Sequence, residues 1–447
     1  MRTTTLERSS PPDRSPSRHP MRSAVIALAL GATLFTAGAI GLAPDAGTTG
    51  ATASHPAPAR GSIPALQARV KHVPQDAASW AALGMGYVQQ ARTTADPATY
   101  DRAESALRRS LAVQPDDNLN AEIGMGALAA ARHDFATALD WARQATGTDP
   151  YNPVAYGVLA DAYTQLGRYP ESYRAVQRMN DLRPDASALA RASYTFELRG
   201  DTDQAVALMR RSLNAASTTG ERSFAHTVLS GLALQAGDAR QALREAETGL
   251  RTAPRDSALH EARARAEAAL GMTRQAIDDF EAAIAVAPLP HYLLGLGELQ
   301  QSLGHKEQAS AQYAVLRGQE AIRQAGTTPA DTDAILFEAD HGDPERAVEM
   351  AQTALTSRPF IAVHDACAWA LHRAGRDRAA LDQANQALAL GTRSALYRYH
   401  RAVIRHSLGD DVAARSDLEA ALRTEPHFHP LHAVTARALL QRIDHTP

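Results

Sequence analysis

The chain has 447 residues, with 46 basic and 49 acidic side chains and a formal net charge of -3. That balance disfavours a duplex nucleic-acid binder, which carries a basic excess against phosphate charge. The single cysteine, Cys367, excludes an internal disulfide, a cysteine-based zinc site and an iron–sulfur cluster.

Residues 1–22 are rich in Ser, Pro, Thr and Arg without apolar periodicity, and read as a disordered tail. Residues 23–43 (SAVIALALGATLFTAGAIGLA) carry no charge and follow Met21–Arg22. A basic start followed by an apolar run is the order of an export signal. The run is also long enough to span a bilayer, so a cleaved signal peptide and a retained transmembrane anchor are both open. Met1 and Met21 are both candidate starts. Residues 44–61, rich in Ala, Gly, Pro and Thr, read as a flexible linker. The expected location is therefore the cell envelope or outside it, with membrane contact only through this segment if it is uncleaved.

From residue 62 to 426 the sequence repeats itself. Segments such as LGRYPESYRAVQRMNDLRP (166–184) and LGDDVAARSDLEAALRTEP (408–426) place a Pro seventeen residues after a Gly. Gly167, Gly200, Gly237, Gly271, Gly304, Gly342, Gly375 and Gly409 follow one another at 33 to 38 residues. Two helices of about a dozen residues with tight turns fit that period. The glycine accepts a left-handed turn, and the proline stops the second helix. Five residues past the glycine stands a small side chain (Ala205, Ala242, Ala276, Ala309, Ala347, Ala380, Ala414), where two helices can approach closely. An insertion at Thr93–Thr99 predicts a longer inter-helix loop, and the period stretches at Gly220 and at Gly318–Thr332, where a longer helix or a flexible joint is expected. Residues 427–447 read as a capping helix, the polar end a solenoid needs.

These residues resemble the tetratricopeptide repeat. The unit at 153–184 carries Tyr156, Leu159, Ala160, Tyr163, Gly167, Tyr169 and Pro184 on the motif's marked positions, with Ser172 in place of the small Ala. The unit from Ala77 supplies Trp80, Leu83, Gly84, Tyr87, Ala103 and Pro115, and the unit from Leu119 has His133 in place of the turn glycine. The resemblance implies an all-α solenoid of about ten antiparallel helix pairs forming a right-handed superhelix. The Ala- and Arg-rich, Lys-poor composition suggests an exported, actinobacterial-like member.

The resemblance also implies that the first helix of each pair lines a concave groove. Its groove positions fall on Asp161, Gln165, Glu261, Arg265, Glu298, Gln301, Asp340, Asp365, Trp369, His372, Arg373, Tyr399 and His406. Aromatic, basic and acidic side chains on adjacent helices are the mixture found in binding hot spots; Trp369 packing into the next repeat is the alternative. The first units place Ala81, Met85, Ile123 and Ala127 there instead of the Lys, Arg and Asn that grip a C-terminal carboxylate, so an apolar groove for an amphipathic segment is expected.

Phosphate-loop, nucleophile-elbow and zinc-protease motifs are absent from the sequence. Asp365 and His372, seven residues apart on one helix face, are the nearest acid–base pair, which is too little for catalysis. His427, His429 and His432 are too unevenly spaced to share a helical face, so no metal or cofactor is assigned. The reading is a non-enzymatic scaffold that binds a protein or peptide in its groove, with no nucleic-acid role. The alternative is an envelope protein that binds a small molecule or metal through the histidine-containing C-terminal groove.

Overall fold

The computed structural model describes residues 61–94, 98–324 and 330–445. The tail, the 23–43 segment and nearly all of the 44–61 linker lie outside the described residues, as do 95–97 and 325–329 within two of the stretched intervals. Among the described residues there are 22 helices and no strand. α1 (Ile63–His72) stands before ten hairpins. These are α2/α3 (Ala77–Thr94, Ala98–Val113), α4/α5 (Leu119–Ala131, Phe135–Thr148), α6/α7 (Pro153–Gln165, Tyr169–Leu182), α8/α9 (Ala186–Leu198, Thr202–Ala215) and α10/α11 (Thr219–Gln235, Ala239–Thr252). The second half holds α12/α13 (Ser257–Ala269, Thr273–Val286), α14/α15 (Pro290–Ser302, Lys306–Gln324), α16/α17 (Thr332–His341, Pro344–Ser357), α18/α19 (Ile361–Arg373, Asp377–Ala387) and α20/α21 (Ala395–Ser407, Asp411–Thr424). α22 (His432–His445) closes the array. All three intervals carry longer helices: α2, which extends to Thr94 where a loop is expected, has 18 residues, α10 has 17 and α15 has 19, against 13 or 14 in most others. No helix among the described residues is long and apolar enough to cross a membrane.

Many of the helices start where the sequence supplies a cap. Asn118, Asp134, Asp185, Asp201, Asp238, Asp331 and Asp410 each accept a first-turn N–H, and Thr218 with Glu221 forms a full capping box. Such caps contribute about 1 kcal/mol each. The small residues five positions past the turn glycine are buried, as their helix-contact role requires. Ser172, which replaces one of them, is buried too and shares a 2.6 Å hydrogen bond with Thr164.

Even-numbered helices pack along one another, while odd-numbered ones lie outside them against their flanking neighbours. Helices such as α4 are buried on nearly every side and read as almost wholly apolar; outer helices such as α11 are strongly amphipathic. Ala81, Ile123 and Ala127 are buried in this inner packing, and Met85 is half-buried.

The array winds until hairpins six apart touch. The α6/α7 turn meets the α17–α18 loop, where Tyr169 Oη accepts the Ile361 N–H at 3.0 Å. The α8/α9 turn meets the α19–α20 loop, where Thr392 Oγ1 donates to the Leu198 carbonyl at 2.5 Å. Buried Arg358 lies 3.5 Å from His133 Nδ1 at the α4/α5 turn. His133 itself adopts φ +61, so the left-handed turn persists without its glycine. These contacts join residues some 190 to 225 apart, and no local pattern announces them.

Candidate functional site

The inner face of the second half converges on the chain's own C-terminal segment. Trp369 is 3% exposed, donates its indole N–H to Asp340 Oδ1 at 3.0 Å and stacks on His400 with ring centres 4.3 Å apart. His400 Nδ1 lies 3.0 Å from Asp365 Oδ2, and both side chains are almost fully buried. From the segment before α22, His429 Nε2 reaches Glu298 Oε2 at 3.0 Å, and from α22 itself His432 Nε2 lies 3.5 Å from Asp340 Oδ2. His432 also stacks on Tyr399, at 5.0 Å, and on His429, at 4.2 Å. The sequence pairing of Asp365 with His372 is not made: Asp365 faces His400, and His372 Nδ1 lies 2.6 Å from Asp377 Oδ1.

The other groove positions divide by exposure. Asp161 holds Arg191 through two hydrogen bonds of 3.0 and 2.8 Å, and Gln165 is buried beside it on α6. Glu261 is buried with Arg265 at 3.7 Å, and Gln301 accepts from Tyr313 Oη at 2.8 Å. Arg373 Nε donates to the Ala339 carbonyl at 3.2 Å, and His406 Nδ1 lies 2.6 Å from Asp411 Oδ1. The Arg265, Gln301, Arg373 and His406 side chains still reach solvent. Asp340, Asp365, Trp369 and Tyr399 instead form the internal packing described above, on the second of the two readings that the sequence allowed for Trp369. Cys367 is buried, and burial pushes its thiol up to about 11, away from the reactive thiolate form.

Between the inner helices and the C-terminal segment lies a cavity of about 430 Å³. Glu261 (α12), Glu298 (α14), Asp333 and Asp340 (α16), His400 (α20) and His429 face it. Burial alone would raise the Glu298 carboxyl, but the His429 imidazole at 3.0 Å, with His341 at 3.8 Å, holds it down to about 2. Burial drives His432 down to about 4, against the hydrogen bond to Asp340. Burial also raises Asp333 to about 8, with Asp331, Glu298 and Glu261 adding repulsion and Arg358 opposing it. The sequence drew attention to His427, His429 and His432 only as a group too unevenly spaced to share one helical face. It gave no sign of His291, Asp333 or Glu425 in this cavity, because what joins them is superhelical winding.

Acidification is therefore expected to loosen the C-terminal segment. His432 has its folded value below its unfolded one, so its contribution is full above pH 6.5 and lost as pH falls towards 4. Glu298 adds a second loss below about 4.5 as pH falls towards 2. The first step is worth at most about 3 kcal/mol. Hydrogen exchange of α22, corrected for intrinsic rate, should show protection falling between pH 6.5 and 4, and His432→Phe should abolish that step. A pH-independent α22 would contradict the assignment.

The fold and its inner face define an α-solenoid built from helix hairpins. The tetratricopeptide repeat family model matches residues 129–193, from the end of α4 into α8, and includes the 153–184 unit that carries most of the motif. No curated protein matches the chain by sequence. Among solved structures, the human IFIT1 dimer with PPP-AAAA is similar at 14% identity and TM-score 0.46, over 81% of this chain and 86% of that one. The APC/C hetero-tetramer Cut9-Hcn1 is similar at 16% and 0.42, over 85% and 80%, and yeast Tom70 at 12% and 0.34, over 86% and 93%.

Proposed function

We propose that the chain is a non-enzymatic interaction scaffold, exported to the bacterial cell envelope, that engages a protein or peptide partner through the inner face of its superhelix. The observation that carries this reading is the uninterrupted run of helix hairpins, with tetratricopeptide repeats matched at 129–193, whose inner helices still present Arg265, Gln301, Arg373 and His406 to solvent. Repeat arrays of this kind expose extended concave surfaces suited to protein partners. The envelope location rests on the basic-then-apolar order of residues 21–43.

The partner surface is tested at the solvent-reaching positions, since Trp369, Asp365 and Tyr399 are structural. Crosslinked native cells expressing the tagged full chain, or its Arg265→Ala, Arg373→Ala variant, would be compared by quantitative mass spectrometry. A partner captured near stoichiometry by the parent, and depleted at least fivefold in a variant of unchanged melting temperature, is the expected result. Equal recovery from both would remove the inner face as the docking surface. Fractionation and N-terminal sequencing of the mature protein would test export; an intact N-terminus in the cytoplasmic fraction would reject it.

A further inference from the structure

We propose that the cavity bounded by α12, α14, α16 and the Glu425–Arg437 segment binds a small organic ammonium ion, such as an aliphatic amine. The inference does not depend on the scaffold reading.

The chemistry of the walls selects the ligand. At about 430 Å³ the cavity falls within the range of small-molecule sites. Five carboxyl groups line it, from Glu261, Glu298, Asp333, Asp340 and Glu425. The two lining arginines, Arg265 and Arg437, have side chains that extend to solvent. The walls thus hold more carboxyl groups than fixed positive charges.

His400 adds an independent indication. It lines the cavity, is 1% exposed and has no hydrogen-bond partner at Nε2. Its Nδ1 faces the Asp365 carboxylate, 3.0 Å away, and Nε2 is the ring nitrogen left without a partner. A buried polar atom left without a partner costs about 1–3 kcal/mol, which a hydrogen bond to a ligand would recover. His291 repeats the pattern, with Nδ1 unpartnered in the same wall and burial holding the ring down to about 4, in the neutral form.

An ammonium group supplies only donors and a positive charge, while Leu294, Leu299, Phe280 and Phe428 offer apolar contact to its methylenes. An anion would meet the carboxyl excess. A transition or alkaline-earth ion needs several ligands converging at about 2–2.6 Å, and among the described residues no three His, Cys, Asp or Glu side chains converge in that way. Burial raises Glu261 and Glu425 and lifts Asp333 to about 8, so Asp333 would lose its proton as the cation arrived.

The test is calorimetric titration of the full chain with putrescine, spermidine and a lysine-containing tetrapeptide, with inorganic phosphate as the anionic control. Each titration is run in two buffers of different ionisation enthalpy at pH 7. The expected result is saturable one-site amine binding with net proton release, weakened at least tenfold in Glu261→Gln and in Asp333→Asn. The melting temperature of each variant is measured beside it, and Asp333→Asn should melt no lower than the parent. Tighter binding of putrescine than of the tetrapeptide identifies a free amine as the source, and the reverse order identifies a partner's lysine side chain. Binding of phosphate but not amines would overturn the proposal. So would amine binding unaltered in both folded variants, or no saturable heat from any amine.

Discussion

Trp369→Ala is expected to destabilise the C-terminal half by roughly 3–5 kcal/mol, the range for removing a large aromatic from a packed core. The indole is 3% exposed, gives its N–H to Asp340 and stacks on His400. Truncation would leave a void beside Asp340 and His400 and strip Asp340 of a donor as well as a neighbour. Because each hairpin is held mainly by its neighbours, the loss should be local, with α18, α20 and α22 opening before α2 to α8. Hydrogen exchange resolved by peptide, together with urea unfolding, reads this directly. Unchanged stability, with protection lost nowhere, would show that the indole is free to serve a partner instead.

Gly200→Ala is the second large effect, and it reports on the closure of the superhelix. Gly200 sits at φ +75, and a Cβ there would lie 2.3 Å from the Gly391 carbonyl oxygen of the hairpin six units on. Left-handed backbone costs a non-glycine residue roughly 1–2 kcal/mol, and here a backbone atom of another turn must also move. Gly271→Ala is the control: its φ is also +75, yet nothing lies within 4 Å of its added Cβ. Gly271→Ala should lower stability by the conformational term alone, leaving the solution dimensions unchanged. Gly200→Ala should cost more and raise the radius of gyration in small-angle scattering, because the α8/α9 turn separates from the α19–α20 loop. Equal effects from the two variants would mean that the inter-turn contact contributes nothing.

How much of this was readable in advance follows from the range of each interaction. The glycine spacing, the buried Ala positions and the helix-stopping prolines are local, so the hairpins appear where the sequence places them. Even the exceptions obey the same rule: His133 takes the left-handed turn, and Ser172 fills the small-residue position with a hydrogen bond. Gly342 is a departure, since α16 ends there at φ -134 and needs no left-handed residue.

The candidate site was legible only in part. Glu261, Glu298, Asp340, Asp365, Trp369 and Tyr399 do lie on inner helices, because position within the repeat dictates the face. Whether an inner residue meets solvent or another part of the chain depends on how tightly the superhelix winds and where its end returns. Those are sums of small rotations over many hairpins, and no single residue encodes them. The sequence alone determined an all-helical array of hairpins with a polar inner stripe. The tertiary structure decided that hairpins six apart touch, and that His429 and His432 fold back onto Glu298 and Asp340 beside a cavity. Local propensity and periodicity act over a few turns of helix, whereas that closure joins side chains some 90 to 130 residues apart.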